Sequence, residues 1–107
     1  MADDNQFEIP RSFIDLFVPP GAIKPREPRN VIAQRYELCE DMAQMLVDAA
    51  RTTLFDLGVA ESDVLERFHR GLLVEGSVVA PDEAGWVIRR LAELLDWPAL
   101  PTGQPSA

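Results

Sequence analysis

Apolar residues recur along most of this chain at steps of three and four, the period of an α-helix with one buried face. From Ile32 the series runs through Tyr36, Cys39, Ala43, Leu46, Ala50, Thr53 and Leu57. Its steps alternate four and three without a slip, which is a heptad seam. Leu38, Met42, Met45, Ala49 and Phe55 add a second flank to the same run. The pattern predicts one long helix from Arg29 to Leu57, stopped at Gly58, a residue suited to a left-handed cap. At ~1.5 Å per residue, such a helix is about 43 Å long. A further helix is predicted over Glu61 to Leu73, with Leu65, Phe68, Leu72 and Leu73 as its apolar face and Gly76 as its breaker. Another starts at Pro81, with Asp82 and Glu83 in its first turn facing the positive end of the helix dipole. Its stripe is Ala84, Val87, Ile88, Leu91, Leu94 and Leu95, and Trp97-Pro98 closes it.

Ahead of the long helix stands SFIDLFVPPG, Ser12 to Gly21, with five bulky apolar residues before two prolines. A short helix is predicted over Arg11 to Val18, with Ser12 as cap and Asp15 three positions on as its capping-box partner. Residues 19–28, PPGAIKPREP, read as an ordered turn or stiff linker. The expected fold is all-α: a small helical bundle of one long helix, a helical hairpin and a short N-terminal helix. Residues 1–10 are expected as a flexible N-terminus, 11–97 as a single helical domain and 98–107 as a disordered tail. The long helix is apolar on more than one flank, so either the short helix or a second copy of the chain must cover the remainder.

Composition narrows the classes of function. Eighteen acids against ten bases give a formal net charge of −8, which disfavours nucleic acid and anionic membrane as partners. Residues 1–57 hold ten acids and six bases, and residues 58–107 eight and four, so the acidity is no tail. No run approaches the ~18 apolar residues of a membrane span. The start, MADDNQ, lacks an apolar export segment, and the single Cys39 cannot form an intramolecular disulfide; a cytoplasmic location is the expectation.

Candidate chemistry is sparse. The chain has no glycine-rich loop ending in Gly-Lys-Ser or Gly-Lys-Thr, so no nucleotide site and no cofactor is expected. Cys39 lies on the heptad seam, where a thiol packs as a small hydrophobe. Glu66-Arg67-Phe68-His69 sets a carboxylate and an imidazole one turn apart, the spacing used in carboxylate-bridged di-metal bundles. With one histidine per chain, such a site requires a symmetric dimer, with Glu37 or Glu40 as added ligands. The plainer reading is a solvated face carrying the ion pairs Asp63–Arg67 and Glu66–Arg70.

Three features point instead to recognition of another protein. Glu37, Glu40, Asp41 and Asp48 crowd along the long helix, either neutralised by Arg67, Arg70, Arg89 and Arg90 or free to receive a basic segment. Trp86 and Trp97 are eleven residues apart, three helical turns, and share a face with Arg90 and Glu93; Trp and Arg dominate binding hot spots. Phe13, Ile14 and Phe17 are the anchors of a short segment that covers either its own groove or a partner's. Self-docking is favoured, because burying several large side chains at ~1.5–3 kcal/mol each rivals the stability of a small domain. Lys24, Arg26 and Arg29, softened by Glu27, are too few for nucleic acid.

Residues 5–97 resemble a small uncharacterised family of mainly proteobacterial proteins. The resemblance rests on NQFEIPRSFIDLFVPPG, VIAQRYELCEDMAQML, DVLERFHRGLL and GWVIRRLAELLDW. Proteins of this kind have carried the loose label of ATPase with chaperone activity. The resemblance implies a chaperone or adaptor role and carries over no catalytic residue, and the ATPase part conflicts with the missing phosphate loop. The expectation is therefore a non-enzymatic protein–protein interaction module working by helix-in-groove recognition. Its partner is another protein or a second copy, as a homodimer. The alternative is a dimeric metal-binding bundle using Glu66 and His69.

Overall fold

Proline and glycine punctuate the chain where its elements begin and end. The computed structural model describes residues 8–100, so most of the expected flexible N-terminus and disordered tail lies outside the described residues. Helix α1 is a single turn, Arg11–Ile14, continued by a 3-10 turn, Asp15–Phe17. Helix α2 spans Arg29–Leu57, α3 Glu61–Leu72 and α4 Pro81–Leu95. Among the described residues there is no strand. The architecture is the expected all-α bundle: α3 and α4 form a hairpin laid along α2, and the N-terminal segment packs over one end.

Gly58 ends α2 in the left-handed region, at φ 63°, and donates its N–H to Leu54 O at 3.0 Å. Pro81 opens α4 as expected, but Asp96 rather than Trp97-Pro98 closes it, at φ 61°. The expected cap at Ser12 is not made. Pro10 holds the capping position, and its carbonyl accepts from Phe13 N and Ile14 N. Ser12 thus lies inside the turn, with its hydroxyl free for a tertiary contact.

The core has two ends. Small seam residues of α2 (Cys39, Ala43 and Ala50, all fully buried) let the backbone of α4 come close. Toward one end, Phe13, Phe17, Ile32, Val87 and Trp86 pack together; toward the other, Val64, Leu65, Leu91 and Leu95 do. The seam is buried at its start and opens at its end, where Leu57 is half exposed. Val64 belongs to the buried face of α3, whereas Leu73, past the last helical residue, turns outward. Ile9 is buried in the first cluster and Leu100 packs on the second.

Arg35 ties α2 to the start of α4. Arg35 on α2 donates to Glu83 Oε2 from Nε at 2.9 Å and to Glu83 Oε1 from Nη2 at 2.6 Å, and also to Val78 O at 2.9 Å. Glu83 Oε1 additionally accepts from Ala80 N at 2.8 Å, so one buried carboxylate caps α4 and clamps it to α2. Burial pushes this carboxyl up. The hydrogen bonds from Arg35 and Ala80 N, with the charges of Arg35 and Arg26, outweigh that and hold it below the ordinary carboxylate range. No described helix is long and apolar enough to cross a membrane.

Candidate functional site

The stretch SFIDLFVPPG folds back on its own chain. Phe13 is fully buried and Phe17 is 5% exposed, while Ile14 is half-buried. The Phe13 ring meets Trp86 edge-on at 5.0 Å between centroids, Tyr36 at 5.6 Å and Phe17 at 5.5 Å. Trp86 Nε1–H donates to Ser12 Oγ at 3.0 Å, which satisfies the indole's one polar atom inside the cluster. Arg26 closes the proline-rich loop over this segment. Its guanidinium lies 5.1 Å from the Phe17 ring centre, and Nη1 donates to Leu16 O at 3.2 Å. In this arrangement Phe13, Phe17 and Trp86 anchor the chain's own segment rather than a partner.

The two tryptophans do not share a face. The left-handed residue Asp96 breaks the helical phase that linked them, so Trp97, half-buried, packs on the second cluster while Trp86 belongs to the first. Arg90 and Glu93 do stay with Trp86, lining a cleft of about 300 Å³ with Pro10, Ser12, Tyr36 and Arg89. Within it Arg90 donates from Nε and Nη2 to Glu40 at 2.9 and 3.1 Å, and from Nη1 to Glu93 at 3.0 Å. Glu40 also accepts from Gln44 Nε2 at 2.8 Å. Burial raises the Glu40 carboxyl, but the hydrogen bonds from Arg90 and Gln44 leave it below its usual range. The Tyr36 hydroxyl is held above its usual range by burial and by the charge of Glu40.

Of the expected acidic strip, Glu37, Asp41 and Asp48 are exposed on the side of α2 that faces away from α4. Among the described residues these three form no ion pair; of the expected internal pairings Arg90 with Glu40 is made, and Arg67, Arg70 and Arg89 reach none of the strip. The second apolar flank divides. Leu38 and Met42 are half-buried against the first cluster, but Met45, beside Asp41 and Asp48, is 75% exposed, and Phe55, further along the same side, is 87% exposed. The short N-terminal helix therefore covers one end of the bundle and leaves this strip of α2 open.

The metal-like pair does not assemble within one chain. Glu66 is exposed and His69 half-buried, and among the described residues no three His, Cys, Asp or Glu side chains converge. Neither Asp63–Arg67 nor Glu66–Arg70 closes as an ion pair among the described residues. Cys39 is fully buried, and burial first, then the charge of Glu83, pushes its thiol up to about 12. That leaves it protonated and unreactive at neutral pH.

Sequence pattern passed over Arg35, and it named Arg89 only as a partner for the carboxylates of α2. The helix-start signal at Pro81-Asp82-Glu83 marked Glu83 as a capping acid, but no local spacing links it to Arg35, 48 positions earlier. No family model, no curated protein and no solved structure matches the chain.

Proposed function

We propose that the protein is a non-enzymatic interaction module of the cytoplasm, an adaptor or chaperone-like subunit. It presents the outward face of α2 to a partner protein whose docking segment is apolar and basic. One observation carries the reading: Met45 stands exposed between the exposed carboxylates Asp41 and Asp48, with Glu37 one turn beyond Asp41, and Phe55 stands exposed two turns past Asp48 beside Arg51 and Asp56. A large exposed ring costs solubility and adds nothing to the core, whereas a ring and a thioether rimmed by charge suit a docking face. The charge also selects the occupant. Two copies joined through this face set carboxylate against carboxylate, while a Lys- or Arg-bearing helix neutralises them. A different protein is therefore favoured over the homodimer.

The test uses two synthetic amphipathic helices, one of Lys and Leu and one of Glu and Leu, titrated into the isotopically labelled full chain. The Lys/Leu peptide should shift the α2 amide resonances around Asp41 to Phe55, and the paired change Met45→Ser/Phe55→Ser should abolish the shift. The Glu/Leu peptide should leave it unbound. Shifts of equal size in the double variant mean mere charge attraction and overturn the reading. A chain that light scattering shows to be a dimer, with these same amides protected, replaces the foreign partner with a second copy.

A further inference from the structure

The cleft beside Trp86 lies on a different side of the molecule from the strip on α2, and its chemistry is unbalanced. Its polar atoms are mostly donors. Among the described residues Arg89 makes no hydrogen bond and no ion pair, and the Tyr36 hydroxyl makes no hydrogen bond. Ser12 Oγ already accepts from Trp86 Nε1, which leaves the hydroxyl's own proton to donate elsewhere. Arg90 uses three of its five N–H groups on Glu40 and Glu93. Glu93 at the rim and Glu40 behind it are both paired with Arg90, Glu93 through Oε1 alone.

A donor-rich cleft calls for an anion, and the charges present set its size. Arg89 and Arg90 balance Glu40 and Glu93 in charge, and because Arg90 holds both glutamates, the Arg89 guanidinium is left without a partner among the described residues. That suits one carboxylate, which Arg binds through two parallel N–H bonds. A phosphate dianion would be repelled by the two glutamates. The rest of the wall is flat and apolar, formed by the edges of Trp86 and Tyr36, and the cleft's volume of about 300 Å³ fits a single ring.

We propose that this cleft is a binding site for a small aromatic carboxylate, whose carboxylate pairs with Arg89 and takes the Ser12 or Tyr36 hydroxyl proton while its ring lies along Trp86. The ligand touches both the N-terminal segment, through Ser12, and α4, through Trp86 and Arg89. It therefore also fastens that segment in place.

Benzoate, its neutral isostere benzamide and inorganic phosphate are the probes. The Trp86 indole N–H resonance of the labelled full chain, assigned with Trp97→Phe, is the readout. Benzoate should shift it saturably and raise the melting temperature. Benzamide and phosphate should bind at least roughly tenfold more weakly, the worth of one charge-assisted pair. Arg89→Gln should lose a similar factor with an unchanged circular dichroism spectrum, because the exposed Arg89 side chain holds nothing else. Equal binding of benzamide, equal binding of phosphate, or a full response in Arg89→Gln each overturns the assignment, as does a resonance that never saturates. Should Arg89→Gln misfold, the comparison of benzoate with benzamide on the unaltered chain still decides it.

Discussion

Phe13→Ala removes the ring around which the N-terminal segment is built. Phe13 is fully buried, with Phe17, Tyr36 and Trp86 within 5.0–5.6 Å of its centroid. A buried Phe→Ala change costs about 3–5 kcal/mol, against a whole-domain stability of about 5–15 kcal/mol. The structure also limits how that loss is felt. The second core cluster, built from Val64, Leu65, Leu91 and Leu95 with Ala50, does not include the segment. The segment can therefore leave while α2, α3 and α4 stay together. Once it has left, further truncation within it costs nothing more. The expected result is a loss of about 3–4 kcal/mol for Phe13→Ala in urea denaturation, with less than about 1 kcal/mol added by Phe17→Ala. In a Trp97→Phe background, Trp86 emission should move to the red as its bond to Ser12 opens. Helix content should fall by little more than one turn. A cost below about 1 kcal/mol, or an unchanged Trp86 emission maximum, refutes the burial argument. Full additivity of the two changes refutes independent release and makes the segment part of a single cooperative core.

Four other expectations follow from named residues. Glu83→Ala strips the clamp on Arg35 and the cap on Ala80 N, and should cost about 2–4 kcal/mol, reduced from the usual buried-pair loss because Arg35 is a third exposed. Glu83→Gln keeps an acceptor and should cost less. The Glu83 and Glu40 carboxyls are held below their unfolded value near ~4.3. Their stabilisation is thus fully present above that pH and disappears as pH falls through the lower folded values; a midpoint unchanged between neutral and strongly acidic pH would contradict this. Asp96→Gly relieves a left-handed φ of 61° and removes a negative charge from the C-terminal end of α4, so the urea midpoint should rise by the equivalent of about 0.5–1.5 kcal/mol. Cys39, raised to about 12, should react with thiol reagents only at the rate of unfolding, and labelling of the native protein within seconds would contradict its burial.

Helix existence and type were readable from the chain because they depend on local spacing. The heptad steps from Ile32 to Leu57 and the stops at Gly58 and Pro81 act within a few residues, and the observed bounds of α2 coincide with those expected. The surplus of apolar surface on α2 was legible for the same reason. Where that surplus goes was decided by the tertiary structure. Leu38 and Met42 tuck against the first cluster, while Met45 and Phe55 stay in water, because the one-turn helix α1 is too short to reach them.

Side-chain roles that depend on distant elements were settled only by packing. Ser12 sits in a sequence that reads as a cap, yet its hydroxyl serves Trp86, 74 positions away. Trp97 looked in phase with Trp86 until Asp96 turned the backbone left-handed between them. Arg35 and Glu83 meet only because α4 lies along α2. Periodicity states which side of a helix is apolar; which partner that side meets depends on where the other helices come to rest.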